Sequence, residues 1–537
     1  MSTFFAGFVS TDLTLTRGLL GVVTLLLLVC IKAYGIAFRE DSLITVLQYD
    51  VTHKIYNIYF HPLSRFPGPK GWCSTSFMYV RSLWSGSLAK DVHSLHRRYG
   101  NVVRIAPNEI SFAKPEAWHD IYSNHAGRPA FPKSKLWHSV APGRPMSLLN
   151  ALDPKTHARF RKSMDSAFTE RAVRTQETII QSYVGSLVTH LQDLLDTNAS
   201  ETVVDIVHWY GFFTFDLIGD LGFGESFNCL ESSEYHPWVS MIFNSLRAAT
   251  YRASLRYYPA FSWILAYAIP KSVLKKQVEH WNLAVDNINR RLKLDGAQPD
   301  LISLIKRDEN GKEGLTISEL QATASVIIVA GSETTVSVLS GTTNYLVNNP
   351  EKLEFLTTEI RNRFSKEEDI TIATLKEVSY LNAVIQEGLR LCNPTPVGLP
   401  RVVPQDGGRV CGYDLPGGTF VNVHPLASSL SPKYFHKPAE FHPERWLAAA
   451  NLSSSPFHND HRNAIQAFGV GPRSCIGKPL AMAELHLILA RMVWKFDLEK
   501  VDTEAGNLKW NEQRVFTVVE RKPFEVKLRA RLGTTIA

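Results

Sequence analysis

The chain has 537 residues, 45% of them hydrophobic and 20% charged, a composition with apolar material for a large core, which excludes a chain disordered throughout. The formal charge of +7 comes from basic residues spread along the sequence. Without basic clusters interleaved with aromatics, a nucleic-acid surface is excluded; a solvated surface, or docking to an anionic membrane or an acidic partner, fits the charge.

From residue 18 the sequence GLLGVVTLLLLVCI is apolar without interruption, and beyond Lys32 the run AYGIAF extends it to residue 38. With Lys32 snorkelling, residues 18–38 reach the roughly 20 residues of a spanning helix. A cleaved secretory signal, with Arg17 as its charged region, is the rival reading. The cysteines argue against export: six occur, with no C-x-x-C pair and no zinc-type Cys/His spacing, as in a reduced cytosolic protein. Lys32 and Arg39 follow the segment and only Arg17 closely precedes it, which orients the large domain toward the cytosol. Residues 1–38 are therefore expected to be a membrane anchor. Residues 39–70 read as a proline-rich connector, extended at Pro62, Pro67 and Pro69, and residues 71–537 as one catalytic domain without internal repeats. A second apolar stretch, FSWILAYAI at 261–269, has the composition to dip into a membrane interface.

In DPKTHARFRKSM, His157 and Arg161 lie one helical turn apart, which alone describes a solvated basic helix. GFGES at 222–226 lacks the third glycine and the spacing of a dinucleotide-binding loop. The segment TISELQATASVIIVAGSETTVSVLSGTTNYLVNNP predicts a long helix, opened by a capping box of Thr316 and Glu319 and closed before Pro350. Its AGSETT stretch puts Glu333 and Thr334 on an otherwise apolar element, where a hydroxyl ordinarily bonds back to the preceding turn. In SYLNAVIQEGLRL, Glu387 and Arg390 share one helix face, the spacing of a common surface ion pair. Short strands are expected near Arg401, in GLPRVV, and near Asp414; Arg445 follows in FHPERW.

The sequence FGVGPRSCIG at 468–477 runs directly into the helical pattern PLAMAELHLILARMVWKF. Cys475 thus sits at the mouth of a helix, where free N–H groups and the positive end of the dipole favour thiolate over thiol. Gly469 and Gly471 let the backbone approach a flat cofactor and allow a bulged loop whose N–H groups point at the sulfur. A lone cysteine is otherwise a small buried hydrophobe, the reading that suits the other five.

Phe468, Gly469, Gly471, Arg473, Cys475 and Gly477 fall on the signature of the cytochrome P-450 family, and the upstream motifs occur in that family's order. The chain therefore resembles the family over essentially its whole length. The resemblance implies a mainly α fold with small β-sheets, the haem between the Thr334 helix and the Cys475 helix, plus one N-terminal transmembrane helix. Cys475 would be the axial thiolate of the iron, with Phe468 packed near the haem and Arg473 on a propionate. His157 and Arg161 resemble the family's Trp-x-x-x-Arg pair, with His157 in place of Trp, and Arg401 is a further propionate match. Glu387, Arg390 and Arg445 resemble its structural triad. Glu333 and Thr334 resemble its acid–alcohol pair for oxygen activation, with Glu where many members carry Asp.

The implied cofactor is haem b. No flavin or nicotinamide fingerprint is present, so electrons would come from NADPH through a separate flavoprotein reductase on the same membrane. The segments 113–149, 235–259, 396–399 and 515–517 would line the site of a lipophilic substrate. IYNIYFHPLSRFPGPK and FDLIGDLGFGESFNCL are similar to fungal microsomal members of secondary metabolism. That implies a terpenoid, polyketide or mycotoxin pathway and a single-pass protein of the endoplasmic reticulum. An electron-independent isomerase or dehydratase is an alternative, although such relatives typically lack the acid–alcohol pair. A non-enzymatic haem carrier is another, although it needs neither Thr334 nor an open distal pocket.

Overall fold

The capping box at Thr316 opens the longest helix, Ile317–Val347: the Thr316 side chain accepts from the N–H of Glu319, and the Glu319 carboxylate accepts from the N–H of Thr316. Arg159 clamps the same carboxylate at 2.6 Å. The helix passes through the core and packs on the helices Ile206–Phe223, Lys271–Arg291, Ser379–Leu391 and Lys478–Lys495. Ile206–Phe223 is apolar nearly all round and nearly all buried, each fully buried large side chain contributing roughly 1.5–3 kcal/mol. It comes close because Gly331 has no side chain: a Cβ there would stand 2.7 Å from Cδ1 of Ile218.

The computed structural model describes residues 40–531 apart from 126, 141–142, 198–200, 260–268, 294–299 and 309–310. The expected anchor at 18–38 and nearly all of the apolar stretch 261–269 lie outside the described residues. Among the described residues, the helix long and apolar enough to cross a membrane is Ile317–Val347, which is mostly buried in the protein core. The described cysteines are all free.

Strands β1 (Val102–Ala106), β2 (Glu109–Phe112), β7 (Phe420–Val423) and β4 (Arg401–Val402) form one sheet in the order β1-β2-β7-β4, with β2 and β7 parallel and the other pairs antiparallel. β5 (Gly408–Val410) pairs with β6 (Tyr413–Leu415), so strands do occur near Arg401 and Asp414. β3 (Glu201–Asp205), β11 (Glu525–Ala530) and β8 (Phe496–Lys500) make a second antiparallel sheet, and β9 (Arg514–Phe516) turns at Thr517 into β10 (Val518–Glu520). The mainly helical expectation holds.

Within the segment expected to be a proline-rich connector, extended at Pro62, Pro67 and Pro69, the first part is helical and Pro62 lies in a turn. Glu40–Tyr59 is a helix, because no glycine or proline interrupts it before Pro62, and the extended geometry is confined to Pro67–Pro69.

Candidate active site

The loop before Lys478–Lys495 is closed by the N–H of Cys475 donating to the Phe468 carbonyl at 2.8 Å. Gly469 and Gly471 both hold positive φ, 69° and 77°. At Gly471 a side chain is excluded twice over, since a Cβ would stand 2.1 Å from the Tyr122 carbonyl oxygen. Cys475 is closely surrounded by protein atoms and yet presents accessible surface. Burial pushes its thiol up, opposed by the N–H groups of Gly477 and Lys478 and by the charges of Arg161 and Lys478. Arg161 donates to the Ser474 carbonyl at 2.6 Å and to Asp165 at 3.0 Å. The half-buried Phe468 ring lies 5.8 Å from the Lys478 ammonium.

Within the core helix Ile317–Val347, Ile327, Ala330, Gly331 and Thr334 are accessible while Ile328, Ser332, Glu333 and Thr335 are buried. Ile327, Ala330, Gly331 and Thr334 stand three or four positions apart and so share one stripe of the helix. This helix packs against the one that follows Cys475, and Thr335, next to Thr334, hydrogen-bonds Glu484 of that second helix. Thr334 donates to the Ala330 carbonyl at 2.6 Å, the ordinary back-bond of a helical hydroxyl, which leaves its Oγ1 lone pairs as acceptors. Glu333 is turned elsewhere: its carboxylate is buried against Arg521, with Nη2 2.7 Å from Oε2. Glu333 and Thr334 are thus neighbours in sequence that face different surroundings.

Cations gather beside this region. Arg401 is 3% exposed, lies over the Tyr122 ring at 5.2 Å, and has no hydrogen-bond partner for Nε or Nη1. Burial, with Arg473 adding to it and Tyr122 opposing, pushes its guanidinium down to about 10. A bridge between Lys133 and Arg401 brings a second cation, held by the Leu149 carbonyl at 2.7 Å and driven well below its ordinary value by burial, Arg401 and Arg473. Arg473 donates to the carbonyls of Ala151 and Leu152 at 2.6 and 2.9 Å. His157 is buried and not solvated; burial and the charges of Arg473, Lys133, Arg161 and Arg401 push it down to about 4. With no anion among these cations it is a neutral imidazole at pH 7, able to offer a hydrogen bond but no charge. Buried guanidinium nitrogens without acceptors, among further cations, call for an anion. The two propionates of a haem have the charge and acceptor oxygens to meet that demand, so the residues fit the group. Lys133 and His138, a further buried imidazole beside Lys133, escaped the sequence reading because no local pattern announces a bridge to Arg401.

Glu387, Arg390 and Arg445 form a fully buried cluster, not a surface pair. Arg390 donates to Glu387 through Nε and Nη2 at 2.8 and 2.7 Å, and Arg445 through Nε at 3.0 Å. Trp446 and the N–H of His442 complete the shell at 2.8 and 2.9 Å. Burial raises the Glu387 carboxyl, but the two guanidinium groups outweigh it and hold the group below its usual range. Arg390 also donates to the carbonyls of Ser429, Pro438 and Glu440, and so pins the chain that leads toward the cysteine loop.

The sequence model of the cytochrome P450 family matches residues 66–528. The chain is 40% identical over 505 residues to cytochrome P450 monooxygenase lcsI of Purpureocillium lilacinum, covering 93% of this chain and 95% of the relative. It is 39% identical over 506 residues to cytochrome P450 monooxygenase astA of Talaromyces wortmannii, covering 93% and 99%. It is 37% identical over 510 residues to the trichothecene C-4 hydroxylase of Trichoderma arundinaceum, covering 94% and 99%. Likeness at this level to oxygenases decides against the isomerase and carrier alternatives. The chain belongs to the cytochrome P450 family, as a haem-iron monooxygenase that draws electrons from a redox partner and acts on a lipophilic molecule.

Proposed function

We propose that the sulfur of Cys475 would hold the iron of a haem b, that Arg401, Arg473, Arg161, Lys133 and His157 would hold its propionates, and that Glu333 and Thr334 would serve proton delivery. The observation that carries this reading is the buried, acceptor-less guanidinium of Arg401 among cations that reach, through Arg161, to the loop of Cys475. Bound there, the haem supplies the activation of dioxygen and the transfer of one of its atoms to the substrate, the other leaving as water. Phe468 and the two glycines shape the loop around the sulfur. Thr334, its own proton engaged by Ala330, presents lone pairs that accept a hydrogen bond from water in the accessible stripe. Glu387, Arg390 and Arg445 act by fixing the loop's approach and touch no reactant.

Electrons come from NADPH through a separate flavoprotein reductase. Residues 1–38 anchor the protein in the endoplasmic reticulum membrane as a single pass, 39–70 connect, and 71–537 form the catalytic domain facing the cytosol. The apolar run at 18–38 supports the anchor. The substrate is a terpenoid or polyketide of fungal secondary metabolism, a reading supported by likeness to a trichothecene hydroxylase. The test is turnover of a lipophilic panel with NADPH and reductase under oxygen-18 gas, read by mass spectrometry. One labelled oxygen per product is expected; product formed without an electron donor, or without label, overturns the reading.

A further inference from the structure

Arg521 follows β10 and reaches the centre of the core helix. Its Nη2 lies 2.7 Å from Oε2 of Glu333 with both side chains 3% exposed. Its Nη1 donates to the backbone carbonyl of Glu333 at 2.8 Å and to Oγ of Ser337 at 3.2 Å. The guanidinium also lies 5.0 Å from the ring centroid of Phe243, on the helix Pro237–Leu255. The hairpin that carries Arg521 is tied to that same helix by Arg247 with Glu520 at 3.6 Å and by Thr250 with Thr517 at 3.1 Å. The guanidinium is therefore held from three sides: by its own hairpin, by the Phe243 ring and by the backbone of the residue whose carboxylate it contacts.

A buried carboxylate alone is driven neutral and keeps its proton; one beside a guanidinium is driven to ionise. Both influences act on Glu333: burial, the larger, raises its carboxyl above the usual range, and Arg521 draws it back toward that range. An acid that relays protons needs that balance, because it must accept and release within each cycle. Resting on the reading of Glu333 as the proton-delivery acid, we propose that Arg521 is its positioning residue: the guanidinium fixes where the carboxylate lies on the helix and keeps its proton exchangeable. Each proton that Glu333 accepts leaves it again within the cycle and ends in the water released by the reaction, so the carboxylate is regenerated beside Arg521. Tyr235 is the further titratable group that feels both Glu333 and Arg521, and its hydroxyl is engaged by the Val207 carbonyl at 3.3 Å.

The experiment compares full-length, haem-loaded wild type with Arg521→Met, Arg521→Lys, Glu333→Gln and the Arg521→Met/Glu333→Gln double variant. Infrared difference spectra need no substrate. Arg521→Met should gain a protonated-carboxyl band that the double variant lacks, while Arg521→Lys, which keeps the charge, should show none. Product per NADPH is measured with the panel compound that wild type turns over fastest. Arg521→Met should lower it by about tenfold or more, and Arg521→Lys should recover most of it, at unchanged haem content. If Arg521→Met fails to load haem, Arg521→Gln, which keeps a hydrogen-bond donor without the charge, is read in the same way: about tenfold less product per NADPH is expected, and wild-type coupling overturns the assignment. Wild-type coupling in Arg521→Met while Glu333→Gln uncouples, or no carboxyl band in Arg521→Met, overturns the assignment of Arg521. Wild-type coupling in Glu333→Gln overturns the reading of Glu333 itself, and the inference with it.

Discussion

Thr334 commits its only proton to the Ala330 carbonyl, so what it contributes to the accessible stripe is a pair of acceptor sites. Replacing it with Ala removes those acceptors and should disturb the helix little, Ala being the better helix former. Thr334→Ala is expected to keep its haem, to consume NADPH, and to release more hydrogen peroxide at the expense of product. A change of one to two kcal/mol at that branch shifts the partition roughly 5- to 30-fold. Product, peroxide and NADPH measured together check it; unchanged coupling would remove Thr334 from the proton path. Arg401 gives a prediction of two signs. Its buried, unpaired nitrogens burden the haem-free protein, so Arg401→Met should stabilise the apoprotein yet weaken haem retention by about 1.5–3 kcal/mol. Haem transfer to an acceptor globin and thermal unfolding of the apoprotein measure the two effects. Equal haem retention would show that no propionate uses Arg401.

Between elements, buried charge decides what holds. Glu387 ties the helix Ser379–Leu391 to the short turn Pro443–Trp446, and removing it leaves the buried Arg390 without its counter-charge and Arg445 with Asp460 alone. Glu387→Ala is expected to cost about 3–5 kcal/mol and most of the haem-loaded protein; thermal unfolding and the yield of haem protein read this out, and wild-type values for both would contradict it. In the β1-β2-β7-β4 sheet, Glu109 of β2 is 1% exposed and receives the Tyr257 hydroxyl at 3.1 Å. Burial pushes its carboxyl up to about 7, against the hydrogen bonds of Tyr257 and Tyr79. Between about 4.5 and 7 the folded state therefore holds a proton that the unfolded chain has lost. The contribution of Glu109 is most favourable at the acid end of that window and declines as pH rises through it, by about 3 kcal/mol in all. Glu109→Gln, a neutral mimic, should gain stability over wild type as pH rises from 4.5 to 7. A constant difference between the two proteins across that window would refute the assignment.

For the molecule as a whole, deleting residues 1–38 should free the domain from carbonate-washed membranes while it still binds haem; a full-length protein that washes off entirely would rule out the anchor. How much of the molecule was legible in the sequence follows the range of the interactions. The cysteine loop and the capping box are local, their glycines and hydroxyls dictated by backbone geometry within a few residues, and both were legible. The spacing of Glu387 and Arg390 was legible but their burial was not, because Arg445 and the carbonyls that enclose Arg390 arrive from other segments. Lys133 reaches Arg401 through an isolated β-bridge between segments far apart in the chain, and Arg521 reaches Glu333 from the β9–β10 hairpin; neither pairing leaves a pattern in the residues themselves. The helix Glu40–Tyr59 was not legible from Pro62, Pro67 and Pro69, because a proline constrains only its own residue and the one before it. The central claim, that the sulfur of Cys475 holds the haem iron, is tested most directly by the carbon-monoxide spectrum of the reduced protein. Wild type should give the red-shifted Soret band of thiolate ligation, and Cys475→Ser, folded by circular dichroism, should lack it. A Cys475→Ser protein that keeps the band would contradict the account.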